Sequence, residues 1–145
     1  DPSHDSAQSI GFVIQTPDDR RIAVCTDLGH VTDTVRAAVT GCDLVLLESN
    51  HDVMMLQNGS YPYPLKRRIQ SDTGHLSNAM CAGELCALIE AGTTRIILAH
   101  LSRENNHPDV ALATARAALC GHRMAEGRDY LLSAAAPQGG RMMIL

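Results

Sequence analysis

VCTDLGHVTD, Val24 to Asp33, runs from an apolar, β-branched segment through a polar turn containing Gly29 into the capping residues of a helix. Strand, turn and helix in that order belong to a layered α/β sheet, where polar side chains collect at the ends of strands. Upstream, RIAVCT (Arg21 to Thr26) is the strand itself, and IGFVIQT (Ile10 to Thr16) is a second strand joined to it by Pro17-Asp18-Asp19-Arg20. Pro presets φ and Asp closes the turn, so the pair reads as a hairpin. Downstream, Thr32 or Asp33 caps a short helix through Val39, Gly41 stops it, and DLVLLE (Asp43 to Glu48) is a buried strand. The run from Ser49 to Gly74 has no clean period and is broken by Asn58-Gly59, Pro62 and Pro64. Ser77 caps a helix over Asn78 to Ala91 that ends at Gly92, and TRIILA (Thr94 to Ala99) is the next strand. Pro108 opens a helix to Cys120, stopped by Gly121, and the tail from Asp129 offers one or two short strands ending at Arg141 to Leu145. Strands alternating with helices, with no repeat and no linker, predict a single α/β (layered α+β) domain over residues 1–145.

Composition narrows the function classes. A chain of 145 residues fills one core, and 45% hydrophobic residues with 3% aromatics build it from aliphatics, Ala, Met and Cys. A net charge of −4 excludes an overall basic field that would recruit nucleic acid. Any such contact is local, at Lys66-Arg67-Arg68, unless that run is simply a solvated face. The five cysteines form no C-x-x-C pair, which points to reduced, buried thiols in a cytoplasmic protein. No apolar run approaches the ~20 residues of a membrane span, so no membrane partner is expected. A glycine-rich phosphate loop and a G-x-S-x-G nucleophile elbow are both absent.

Residues able to hold a metal gather beside the strands. Asp27 and His30 follow the second strand, Glu48 and His51 close the third, His100 follows the fourth, and His4 precedes the first. His75, after Gly74, stands just before a helix. His and Asp also favour loops and caps, and the alternatives are Glu48 as a buried acceptor for loop amides and His51 as an exposed loop residue. Asn105 and Asn106 read as caps of the Pro108 helix, and Met54-Met55 as a core anchor for the irregular segment. Imidazoles and a carboxylate without thiolates suit zinc, manganese or iron in a catalytic site with open positions.

These blocks carry a resemblance. VCTDLGHVTD, LESNHD (Leu47 to Asp52), LKRRIQSDTGHLSN (Leu65 to Asn78) and LAHLSRENN (Leu98 to Asn106) are similar to metallo-β-lactamase-fold hydrolases, in particular the YycJ/WalJ-like subgroup, whose members are described as exonucleases. The resemblance covers about Ser3 to Cys120 and implies the C-terminal half of a four-layered αββα fold. By the same resemblance His4, Asp27 and His100 are metal ligands, Asp27 bridging two divalent ions (zinc or manganese), and Glu48 with His75 is a proton-transfer pair. Two cations ~4 Å apart can activate water and clamp a phosphate, and a His–carboxylate pair can protonate a leaving oxygen.

The departure from the family is equally plain. Its H-x-H-x-D-H motif, which supplies most ligands of both metals, occurs nowhere in these 145 residues. The expectation is therefore a metal-dependent phosphodiesterase or nuclease whose N-terminal half, with that motif, is absent. On its own the chain should be inactive. A thioester or lactone hydrolase of the same fold, and an inactive fragment serving as an assembly or binding module, are the alternatives. The apolar strand residues Val13, Ile22, Val24, Val45, Leu47, Ile97 and Leu98 are expected to form one uncovered sheet face. Such a face should pair with the missing half or with a second copy.

Overall fold

A computed structural model describes residues 10–135. Five strands form one sheet in sequence order: β1 (Ile10–Gln15), β2 (Arg21–Thr26), β3 (Leu44–Glu48), β4 (Arg95–Ala99) and β5 (Leu131–Ala134). β1 and β2 are the antiparallel hairpin, with Ile10 opposite Thr26, and β2 through β5 run parallel. Parallel strands need crossovers, and helices supply them. α1 (Asp33–Val39) links β2 to β3, and α2 (Val53–Asn58), α3 (Tyr63–Ile69) and α4 (Asn78–Glu90) link β3 to β4. α5 (Pro108–Gly121) links β4 to β5. The carboxyl ends of β2, β3 and β4 consequently share one edge, where Asp27, Glu48 and His100 stand.

Local chemistry explains most boundaries. Thr32 and Ser77 each accept a hydrogen bond from the backbone N–H three residues on, Val35 and Met80, and so begin α1 and α4. Ser49 to Gly74 is more regular than its sequence suggests. Asp52 caps α2 by accepting from the Met55 amide, and Pro62 and Pro64 fall at the cap and first turn of α3, where a missing N–H costs nothing. Helices of six and seven residues are too short to display an amphipathic period. Met54, expected as a core anchor, is exposed on α2, and Leu56 is the buried residue of that helix. Cys25, Cys42 and Cys81 are buried free thiols, and burial pushes the Cys81 thiol up to about 12. No helix among the described residues is long and apolar enough to cross a membrane. The expected strand at Arg141 to Leu145 lies outside the described residues.

Strand register separates the two sheet faces. Ala23, Cys25, Val45, Leu47, Ile96, Leu98 and Leu132 point to one side and pack under α1, α4 and α5, against Val39, Leu85, Leu88, Ala115 and Leu119. The alternate positions form the other side: Phe12, Val24, Leu46 and Ile97 align across four strands, with Ile14 and Ile22 beside them. Phe12 and Ile14 are 50% and 48% exposed, and Ile22, Val24, Leu46 and Ile97 are half-buried. The seven residues expected on one uncovered face are thus divided. Val13, Val45, Leu47 and Leu98 share the helix-covered side, and only Ile22, Val24 and Ile97 belong to the open one, because side chains alternate with period two.

Candidate metal centre

Glu48 is the hub of the carboxyl edge. Its side chain is 0% exposed, and four donors converge on it. Oε2 accepts from the backbone N–H of Leu28 at 2.8 Å and of Leu76 at 3.3 Å. Oε1 lies 2.7 Å from Nδ1 of His75 and 2.6 Å from Nδ1 of His100. Burial pushes the Glu48 carboxyl up, but the bonds from His75, His100 and the Leu28 amide outweigh it and hold the group below its ordinary value. His75 is displaced the other way: its bond to Glu48 raises it against burial, with Arg68 opposing. An ionised carboxylate only accepts, so both imidazoles carry hydrogen on Nδ1, and a neutral ring then presents its lone pair at Nε2.

Asp27 completes the group, its Oδ1 3.8 Å from His75 Nδ1 and 3.7 Å from His100 Nδ1. One ligand atom from each of Asp27, Glu48, His75 and His100 lies within 4.8 Å of all the others. Asp27 and His100 both have φ of 56°, a left-handed conformation rare outside glycine. Each occupies the first position after its strand, and such backbone strain concentrates at functional sites. Gly29 is fixed by close approach, since a Cβ there would fall 1.9 Å from the Asp72 carbonyl oxygen, and the turn after Asp27 is pressed against the loop leading to His75.

Beneath the cluster lies a polar network that sequence reading missed. Asn50 Nδ2 donates to the His100 carbonyl at 2.9 Å, holding that residue's unusual backbone. Asn78 and Asn106 bond to each other, Ser49 Oγ donates to Asn78, and Asn106 also donates to the Ser49 carbonyl. Asn106 therefore ties the β3 end to α4 and does not cap the Pro108 helix. The side-chain cap of α5 is His107, accepting from the Asp109 amide, and Asn105 is buried beside α2. His51 is no exposed loop residue: it is 2% exposed, near Asn50 Oδ1, and its pKa is lowered chiefly by burial. His30 faces outward against the Asp72 carbonyl. His4 lies outside the described residues. Asparagines following a strand, as in LESN and RENN, were the available signal for this network.

The donor set fits a divalent metal. Two ligands on one tetrahedral ion with bonds of ~2.0–2.2 Å stand roughly 3.3–3.6 Å apart. The 2.6 and 2.7 Å separations at Glu48 are hydrogen bonds, so Glu48 does not share an ion with those Nδ1 atoms. It accepts the Nδ1 hydrogens of both rings, the contact a carboxylate makes when it orients an imidazole, and leaves Nε2 as each ring's other nitrogen. The model of the beta-lactamase superfamily domain matches residues 2–101. The chain belongs to this superfamily. Its sheet and helices are those of the metallo-β-lactamase fold, and its relatives agree. Exodeoxyribonuclease YycJ of Bacillus anthracis is 40% identical over 109 residues, 75% of this chain and 41% of its own length. Exodeoxyribonuclease WalJ of Streptococcus pneumoniae (strain D39) is 39% identical over 128 residues, 88% of this chain and 47% of its own. The chain spans less than half the length of these curated relatives, and as a YycJ/WalJ-like member of the metallo-β-lactamase fold it carries the Asp27, Glu48, His75 and His100 edge without an H-x-H-x-D-H segment.

Proposed function

We propose that this chain supplies one half of the active site of a metal-dependent phosphodiesterase that cleaves nucleic acid, DNA being the substrate class named for its relatives. The observation that carries this reading is the buried Glu48 carboxylate holding two imidazoles beside Asp27 at one sheet edge. His100, through Nε2, and Asp27 are the metal ligands, with His4 a third candidate. The remaining ligands come from sequence outside these residues. Divalent ions, zinc or manganese, would activate water and neutralise phosphate charge when bound.

The chain's own residues do the rest. Glu48 fixes the tautomer and direction of both rings. His75, its pKa raised by the same carboxylate, keeps a proton at Nε2 that it can give to the departing oxygen. The three buried thiols suit a reducing compartment such as the cytoplasm. The open sheet face is where the other half of the fold would sit, making residues 1–145 one half of a domain. The test is cleavage of bis(p-nitrophenyl) phosphate and of DNA by the full-length protein with and without chelator. Metal-dependent turnover abolished by Asp27→Asn is expected, and chelator-resistant turnover, or none on either substrate, would overturn the reading.

A further inference from the structure

A cavity of about 330 Å³ opens directly beside the metal-site cluster, bounded by Asp27, Leu65, Arg68, Ile69, Thr73 and His75. That volume is at the small end of ligand sites, which span roughly 300–1,000 Å³. Its wall has two chemistries: the side chains of Leu65 and Ile69 on α3 are apolar, and Arg68 and Thr73 are polar. The end of α3 is tied to the site by the backbone, since the His75 amide donates to the Ile69 carbonyl at 2.9 Å. Gly74 lets the turn close this tightly, because a Cβ there would meet the same carbonyl oxygen at 2.1 Å. Arg68 and His75 consequently line the same cavity.

The basic run Lys66-Arg67-Arg68 divides its work by direction. Lys66 Nζ donates to the carbonyls of Gln57 and Gly59, at 2.9 and 2.7 Å, and closes the turn between α2 and α3. Arg67 lies over the Tyr63 ring, 5.9 Å from its centroid. Arg68 is the member that borders the cavity. A phosphodiester in this cavity meets the carboxylate of Asp27, so the Arg68 guanidinium on the same wall offsets repulsion there and can bind phosphate in bidentate fashion.

We infer that this cavity seats a single nucleotide unit of the substrate strand, with Arg68 binding its phosphate and Leu65 and Ile69 lining its sugar and base. The inference rests on the phosphodiesterase reading and deepens it by giving one nucleotide of the substrate a seat beside the metal-site cluster. Binding of thymidine monophosphate and of thymidine to the full-length protein, measured by calorimetry in chelator, tests it without turnover. Arg68→Met, which keeps the aliphatic stem, should weaken monophosphate binding at least about tenfold and leave thymidine binding unchanged. Arg68→Lys should recover part of the loss. In the metal-loaded protein Arg68→Met should raise KM for single-stranded DNA about tenfold with kcat within about threefold.

Wild-type protein that does not bind the monophosphate, or Arg68→Met binding it as wild type does, overturns the inference. An equal loss for thymidine and its monophosphate also overturns it, since Arg68 would then be shaping the wall only. The two readings fail separately. Wild-type protein that cleaves bis(p-nitrophenyl) phosphate with an Arg68-independent KM for DNA sinks the nucleotide seat alone. Arg68-dependent monophosphate binding without any metal-dependent cleavage sinks the phosphodiesterase alone.

Discussion

Replacing Glu48 separates its structural work from its effect on the metal. Glu48→Ala deletes the acceptor of four donors at a side chain with 0% exposure, leaving the Leu28 and Leu76 amides and two imidazole N–H groups to find other partners. Removing one partner of a buried ionic cluster costs about 3–5 kcal/mol. Against a total stability of ~5–15 kcal/mol this is severe, and at ~2–4 °C per kcal/mol it lowers Tm by about 6–20 °C. Glu48→Gln is the sharper probe. Its volume is conserved, and its single amide oxygen can still serve Leu28 and Leu76, so the stability loss should be only about 1–2 kcal/mol. The amide NH₂ then faces His75 and His100, and two donors cannot meet two donors. The His100 ring must move its hydrogen to Nε2, so the lone pair it would offer a metal is lost, and His75 keeps hydrogen at Nε2 alone. Orienting carboxylates are typically worth ~10–100-fold in metal affinity, so the full-length Glu48→Gln protein should bind zinc or manganese weaker by that factor while melting within a few degrees of wild type. Competitive metal titration together with thermal melts measures both quantities. Glu48→Gln with wild-type metal affinity would refute the tautomer argument, and the assignment of Glu48 as the orienting group would fall with it.

Three further outcomes are expected. The 145-residue chain alone should hold metal weakly and show no steady turnover, because three candidate ligands cannot fill two cation sites; tight stoichiometric metal in the purified chain would show that ligands lie elsewhere in it. Stability of the metal-free chain should fall on both sides of a window set by this cluster, as melts across about pH 3 to pH 9 would record. Glu48 sits below its ordinary 4.5, so its contribution is present above that pH and lost as pH falls through the folded value; His75 sits above 6.5, so its contribution is complete below 6.5 and lost as pH rises through the folded value. Equal pH profiles for wild type and Glu48→Gln would contradict this. In sedimentation the isolated chain should self-associate through Phe12, Ile14, Val24, Leu46 and Ile97, each worth up to ~1.5–3 kcal/mol when fully covered, and Phe12→Ser with Ile14→Ser should restore a monomer; a monomeric wild type would show that the face tolerates water.

Much of the fold was legible because its signals are local. Arg21 to Thr26 is a short apolar run flanked by turn residues, Thr32 and Ser77 are helix caps, and Gly92 follows the last turn of α4. What escaped depends on tertiary placement. α2 and α3 are each under two turns long, and the prolines that looked like breakers are at their starts. The open face was misjudged by collecting apolar residues without their parity: Val24 and Val45 are equally apolar, yet register places one toward water and the other under helices. At the site, Asp27 and His100 stand out as polar residues beside strand ends, and His75 as one just before a helix. Asn50, Asn78 and Asn106 do not, because asparagine ordinarily caps or turns, and only the packed structure shows Asn50 bonded to the His100 carbonyl and Asn78 bonded to Asn106.

Glu48 also explains why this edge of the sheet can be well ordered. A carboxylate fully removed from water is costly unless every lone pair is satisfied. Here the satisfying donors come from the end of β2, from the loop before α4 and from the end of β4, three segments far apart in sequence. The cost of burying the charge is recovered only when all three are in register, so the same interaction that aims the imidazoles also selects the strand alignment that brings them together. Metal and substrate are not needed for that selection. The residues of this edge are therefore set by the fold before any ligand arrives, and loss of metal affinity without loss of structure is a meaningful result at Glu48→Gln.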